Sequence, residues 1–539
     1  MPGCERERSA AAPKTFVKRG RWDGLCLAFG LANAILYSSL LPLWEGFDEP
    51  FHFAYVEFVA TQRALPVFGH AGLSQQVEES IRLAPASHVV RQNIPYVMTF
   101  AEYHALPDAE RAARRRALYE IPAERRGIFA AGSPNYENHQ APLAYLLQAP
   151  LSALWASSPL PVRVLRLRWL ISAAAVAALF AALCAASSIL NLSPLGHRLM
   201  LFWVFCWQVL YAATAHVAND WLSVPLSAWF FVALLRFEAQ PERNSALALG
   251  GVLGAGLLAK ASFLPWLALA GCVTLWLVIR KRARLGVAAW LALPVLMMAG
   301  PWHVRNILLY GSLSGMYQSA RGIALADVLA AAVSLPWGEA VRSMIHTGVW
   351  TGNNTFNTFS VSTVGVVAGL FVIGLVLWAK SAKRSTGEVW LAAGLCLFAA
   401  AVLYACCLFW AYRPGAVSVA PWYLAMAALP FTALAALGME RGGKAGRWAA
   451  AALAGLSAYM ISATYVIKLI PQYAGCGAGA TRPAGLKSCY IENAGRTAAL
   501  LADTALGPGW LVFGLTAIVV ILAAGLAAGI FWRYRAAAA

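Results

Sequence analysis

Apolar runs of membrane-spanning length recur along this 539-residue chain, and they limit its fold more than any motif does. A hydrocarbon core about 30 Å thick needs roughly 20 apolar residues to cross it as a helix. Runs of that kind fall near 22–43, 165–189, 198–214, 219–236, 246–260, 262–279, 286–301, 361–379, 388–410, 418–437, 447–467 and 508–532. Lipid offers no partner to an open backbone polar group, so such runs are read as helices. Charged residues make up only 12% and hydrophobic ones 60%, against about 25% charge in a soluble domain. A disordered chain, a disulfide scaffold and a soluble enzyme are excluded. The expectation is an all-α polytopic membrane protein with about 12 transmembrane helices.

Charge sets the topology. Residues 1–21 form a polar tail carrying Lys14, Lys18, Arg19 and Arg21, expected in the cytoplasm. The apolar run after it ends LYSSLLPLWEG without a small-residue cleavage site, which reads as a retained anchor. The segment 141–157, APLAYLLQAPLSALWAS, decides the count. If it lies in the interface, Arg280-Lys281-Arg282-Arg284, Lys380-Lys383-Arg384, Arg441-Lys444-Arg447 and Arg533-Arg535 all join the N-terminus inside. If it spans, all four fall outside. The excess of Lys and Arg in cytoplasmic loops favours twelve crossings. It also explains the net charge of +18 without nucleic acid. Arg163, Arg166 and Arg168 then lie on the outer side and need a reason to be there.

Three long loops face outward under this topology: about 44–162, 302–360 and 468–507. The first holds twelve of the 24 acidic residues, and eight of nine histidines lie outside, all but His197. The first loop opens Trp44-Glu45-Gly46-Phe47-Asp48-Glu49-Pro50-Phe51-His52. Asp48 suits the N-cap of an interfacial helix with an early proline. A cap needs one acid, however, and here two adjacent acids sit within a turn of His52. A carboxylate at the bilayer boundary is partly desolvated and becomes a stronger base. The loop closes with Tyr136-Glu137-Asn138-His139-Gln140 running into an apolar segment, at the same depth as Asp48.

Later positions have the same character. His216, Asn219 and Asp220 fall between two spans, and Lys260 sits in GLLAKASF with almost no polar loop around it. Such a lysine must snorkel, pair with an acid or meet an anion. His303 and Arg305 follow another span. His216, Lys260, His303 and Arg305 together suggest a cationic rim for a phosphate. Residues 107–126 read as a solvated charged helix, and Trp337, Trp350 and Phe356 as interfacial anchors or a cover. Seven cysteines lie in apolar runs as small hydrophobes, while Cys476 and Cys489 share one polar loop and can pair in an oxidising space.

The acidic pair after the first span, HQAPLAYLL at 139–147, VAND at 217–220, GLLAKAS at 256–262 and RNILLYG at 305–311, in that order, resemble the GT-C superfamily of membrane glycosyltransferases. The similar branch is that of the protein O-mannosyltransferases and lipid A aminoarabinose transferases, and the resemblance covers roughly 25–315. It implies a catalytic membrane module at 22–315 and a variable module at 316–539. It implies an inverting transfer of sugar from a polyprenyl-phosphate donor to a hydroxyl on a lipid, glycan or protein, at the outer face of a bacterial inner membrane. Asp48 maps onto the general base, Glu49 is its rival, and Glu137 matches a second acidic position. Lys260 and Arg305 would hold the phosphate. His52, His139, Gln140, His216, Asp220 and His303 complete the expected donor site. Ala141 and Ala144 depart from the family's PPLYY-like element, and the C-terminal half carries little of the likeness.

The two acids lack a third ligand, so no metal or other cofactor is expected. A transporter or flippase of lipid-linked glycans would show repeated halves and charges at the midplane, and neither is visible. A ligase or polymerase of such glycans would keep its reactive loop late in the chain, whereas here the acids follow the first span.

Overall fold

The computed structural model describes residues 20–536 apart from 88–89, 92–93, 95, 314, 316–321, 353–358, 416, 418–420 and 477–482. Phe356 and most of the N-terminal tail lie outside these. Among the described residues nine helices are long and apolar enough to cross a membrane: Arg21–Leu40, Leu160–Ile189, Asp220–Ala239, Ala261–Ile279, Gly286–Tyr310, Val361–Lys380, Thr386–Tyr412, Gly443–Tyr473 and Gly509–Trp532. The other three predicted runs are also helical but shorter or interrupted. Arg243–Ala259 has 17 residues. The run 198–214 splits at Trp207 into Pro194–Cys206 and Gln208–Thr214. The carbonyl of Phe205 beside the break accepts from the Tyr211 hydroxyl at 2.8 Å and from Asn33 Nδ2 at 3.4 Å. The run 418–437 begins with a short turn, Pro421–Leu424, before Ala428–Arg441.

Close packing rests on small residues. The helix Arg243–Ala259 lies on Gly286–Tyr310, where a Cβ on Gly250 would come within 2.2 Å of the Leu291 carbonyl oxygen. Val361–Lys380 meets Ala428–Arg441 with Gly438 against the Gly374 carbonyl. The first helix packs on both Leu160–Ile189 and the last helix. At the end bearing the basic clusters, charges pair across helices. Arg282 reaches Glu238 at 2.6 Å, Arg441 reaches Glu388 at 2.7 Å, and His197 reaches Asp23 at 3.3 Å.

The opposite end carries the long connections. The segment read as interfacial is the 12-residue helix Leu143–Leu154, about 18 Å long and too short to cross. It packs on Glu49–Gln62, with the rings of Tyr55 and Tyr145 stacked at 3.9 Å. Gly72–Ser74 pairs antiparallel with Phe129–Pro134, in the register Gly72 to Pro134 and Ser74 to Phe129. Pro85–Ala86 pairs parallel with Met98–Thr99. The charged stretch forms the helix Asp108–Tyr119. Its Arg111 is tied to Asp503 of the C-terminal loop at 3.1 Å.

That loop is closed by a disulfide between Cys476 and Cys489. It returns to the first helix, where the Gly507 amide donates to the Ser39 carbonyl at 2.8 Å. Trp350 is neither an interfacial anchor nor a cover. It is buried, and its indole donates to Thr464 at 2.8 Å. Trp337 donates to the Ala332 carbonyl at 2.9 Å.

Candidate active site

The helix Glu49–Gln62 begins where the first span ends, and it places two adjacent acids in different surroundings. Asp48 occupies the N-cap position with Pro50 in the first turn, as the sequence suggested, but its side chain makes no capping bond. Its backbone is left-handed (φ 55°), a conformation aspartate tolerates better than most residues. The carboxylate instead accepts a hydrogen bond from the Tyr136 hydroxyl. Burial pushes its pKa up. The Tyr136 bond and the Lys260 charge pull it back without restoring it, and Asp220 adds to the rise.

Glu49 points elsewhere. Arg168 grips both its oxygens, with Nε donating to Oε1 at 2.7 Å, and the Val217 amide donates to Oε1 at 2.9 Å. The same guanidinium donates to the carbonyls of Leu41 at 2.6 Å and Pro42 at 3.0 Å. Burial raises the Glu49 carboxyl, but the charge and bonds of Arg168 outweigh it and hold the group below its ordinary value. This fully engaged carboxylate is a poor proton acceptor, which separates Glu49 from the role of rival base.

The arginines that broke the charge rule thus each have a partner. Arg163 pairs with Glu57 at 2.7 Å and with Gln76, while Arg166 donates to Ser158 at 3.0 Å.

Around Asp48 stand groups from distant parts of the chain. The turn Tyr136–His139 follows the strand Phe129–Pro134 and carries Glu137. Asn135 fixes this turn by accepting from the Glu137 amide at 2.9 Å and donating to the Phe51 carbonyl at 2.8 Å. Glu137 lies 3.8 Å from His52, and its Oε2 is buried without a hydrogen-bond partner. Burial, then the charge of Asp48, raises its pKa to about 8, against the opposing pull of Gln140 and Lys260. It therefore holds its proton to higher pH than a solvated glutamate does.

His52 Nδ1 meets the Tyr145 hydroxyl at 2.7 Å. Burial and the neighbouring cations depress His52 well below its ordinary value, and burial takes His139 down to about 4. Gln140 accepts from Asn219 at 3.1 Å.

Lys260 follows the helix Arg243–Ala259 in extended backbone and is buried. It does not snorkel. Its ammonium pairs with Asp220 at 2.5 Å and sits 5.2 Å from the centre of the Tyr423 ring. Asp48, Glu137 and Asp220 thus surround a single lysine within electrostatic reach.

Of the four expected cations, Lys260 is ion-paired in the acidic cluster and the other three bond backbone carbonyls. His216 is buried against Gly46, where a Cβ would come within 2.6 Å of it, and its Nε2 bonds the Phe47 carbonyl at 3.1 Å. Burial lowers its pKa, so it is neutral. His303 bonds the Leu313 carbonyl at 2.8 Å. Arg305 donates to the Pro66 carbonyl at 2.8 Å and covers Trp302, and its Nη1 is buried without a partner. Neither makes an ion pair with the acidic cluster among the described residues.

Tyr136, Tyr145 and Tyr423 belong to the cluster, and the sequence reading gave them no role in the site. Tyrosines are common at membrane boundaries, so their positions carried no separate signal. No group of three or more His, Cys, Asp or Glu side chains able to hold a metal occurs among the described residues.

Fold and cluster together define a polytopic membrane protein with sheltered acid–cation chemistry at one end of its helices. No family model matches the chain, and no curated protein does. Among the solved structures similar to it are two of ArnT from Cupriavidus metallidurans, one in the apo state and one bound to undecaprenyl phosphate. Each shares 13% identity with a TM-score of 0.41, covering 88% of this chain and 73% or 74% of that one. Likeness at that distance carries no residue-level correspondence, so this chain's own residues must support its function.

Proposed function

We propose that the chain is an integral-membrane glycosyltransferase of the GT-C type. It moves a sugar from a polyprenyl-phosphate donor to a hydroxyl acceptor on the extracytoplasmic face, with inversion. One observation carries the reading: Asp48, with no arginine partner among the described residues, shares a sheltered cluster with Lys260 at the end of the helices away from the basic clusters. Those basic clusters favour the cytoplasm for their own end, and hence the outer face for the site.

The parts suit glycosyl transfer. Asp48 accepts the proton of the acceptor hydroxyl as its oxygen attacks the anomeric carbon. The carbon–phosphate oxygen bond breaks on the opposite face, and polyprenyl phosphate leaves. Lys260 supplies fixed positive charge where negative charge develops on the departing phosphate. Asp220 holds the ammonium until the donor arrives. Protonated Glu137, Gln140 and Asn219 offer hydrogen bonds to sugar hydroxyls, and neutral His52, His139 and His216 shape the same wall. Arg305 and His303, held on neighbouring carbonyls, act further along the donor. Site depth supports a lipid carrier: its tail stays in the bilayer while its head reaches the cluster.

The test uses the purified full chain in vesicles with a radiolabelled polyprenyl-phosphate sugar and a panel of lipid, glycan and peptide acceptors. Label should appear on an acceptor, with free polyprenyl phosphate as the second product. Movement of the intact labelled lipid across the bilayer with no transfer would contradict the reading in favour of a flippase.

A further inference from the structure

We propose that Tyr136 is the positioning residue of the base: its phenol holds the Asp48 carboxylate away from the helix-capping position and within the Lys260 cluster. The inference rests on Asp48 acting as the base.

An aspartate before a helix ordinarily adopts extended backbone and turns its carboxylate onto the amides of the first turn. Asp48 does neither. It is left-handed and makes no capping bond, and the bond it accepts comes from Tyr136. The phenol is fixed independently of the carboxylate. Its ring packs on Phe51, 4.3 Å between centroids. Its turn is pinned by Asn135 to the Phe51 carbonyl and by Asn138 to the Ala71 carbonyl, each at 2.8 Å. His139 Nδ1 bonds the Tyr136 carbonyl. The donor and the base therefore ride on one scaffold.

The groups facing Asp48 act in known directions. Lys260 favours the carboxylate, while Asp220 disfavours it. The Tyr136 hydroxyl favours it without bringing a charge, so its loss leaves the net charge of the cluster unchanged. A hydrogen bond donated to the charged form lowers the pKa of an acid.

The acid limb of kcat/KM for transfer reads this directly. Tyr136→Phe should move that limb to higher pH by about one unit, a tenfold loss of active base on the acid side, with the donor KM unchanged. Incorporation of 3-fluorotyrosine at position 136 keeps the ring in place and strengthens the donor, and should move the limb to lower pH. A purely packing role shifts neither limb in opposite senses. Superimposable profiles for the wild type and the fluorotyrosine protein, with Asp48→Asn inactive, would overturn the assignment to Tyr136 and leave Asp48 as base. Full turnover by Asp48→Asn would overturn both. If Tyr136→Phe fails to insert, the fluorotyrosine protein alone decides.

Discussion

Glu49 and Asp48 are neighbours in the chain, yet they head two different regions of buried charge. In the first, Glu49 meets Arg168, whose other donors go to backbone carbonyls, and Glu57 meets Arg163, which also reaches Gln76. In the second, Asp48, Glu137 and Asp220 share one ammonium, and a Glu137 oxygen lacks any hydrogen-bond partner. Burying a charge costs free energy unless it is paired. Carboxylates each matched by an arginine therefore tie the first long loop to the helices, while an under-neutralised group keeps a carboxylate basic. The difference teaches that burial alone does not distinguish scaffold from chemistry; the number of opposite charges supplied does.

The comparison is broken most severely at the scaffold. Arg168→Leu leaves Glu49 buried and unpaired, which costs about 3–5 kcal/mol. We expect loss of folded protein after detergent extraction, seen as a lowered unfolding midpoint, and an unchanged midpoint would contradict the structural role. Next comes the single cation of the cluster. Lys260→Ala should reduce transfer by about 10²–10³-fold, and Asp220→Asn in the same protein removes the carboxylate it strands. Full transfer by that double variant would remove Lys260 from the phosphate.

Glu137 sharpens the contrast through pH. Its pKa rises from 4.5 to about 8 on folding, so the native state holds an extra proton between those values. Stability is then complete below the unfolded value and falls as pH rises through that window. Glu137→Gln keeps a neutral side chain and removes this slope. Its unfolding midpoint should drop less than that of the wild type between pH 5 and pH 8, as read in parallel melts. The smallest effect is expected at His303, which is held on the Leu313 carbonyl. His303→Ala should change transfer by no more than about twofold.

The helical runs were legible because twenty apolar residues in lipid have few alternatives. The interruption at Trp207 was not, since the carbonyl freed there is satisfied by Asn33 and Tyr211. Lys260 stood out because almost nothing polar surrounds it in the chain. The separation of Asp48 from Glu49 was hidden. It turns on one left-handed residue and on an arginine 119 positions away. Arg163, Arg166 and Arg168 were visible as exceptions to the charge rule; the first and last pair with acids of the first long loop, and Arg166 donates to Ser158. The carbonyls that His216, His303 and Arg305 bond were not legible either, since two of the three lie far away in the chain.

The account turns on what Asp48 contributes that Glu49 does not. The most direct measurement is transfer from a radiolabelled polyprenyl-phosphate sugar by Asp48→Asn, beside its unfolding midpoint. The account predicts at least about a hundredfold loss of turnover with a midpoint near that of the wild type. Wild-type turnover from Asp48→Asn would contradict it.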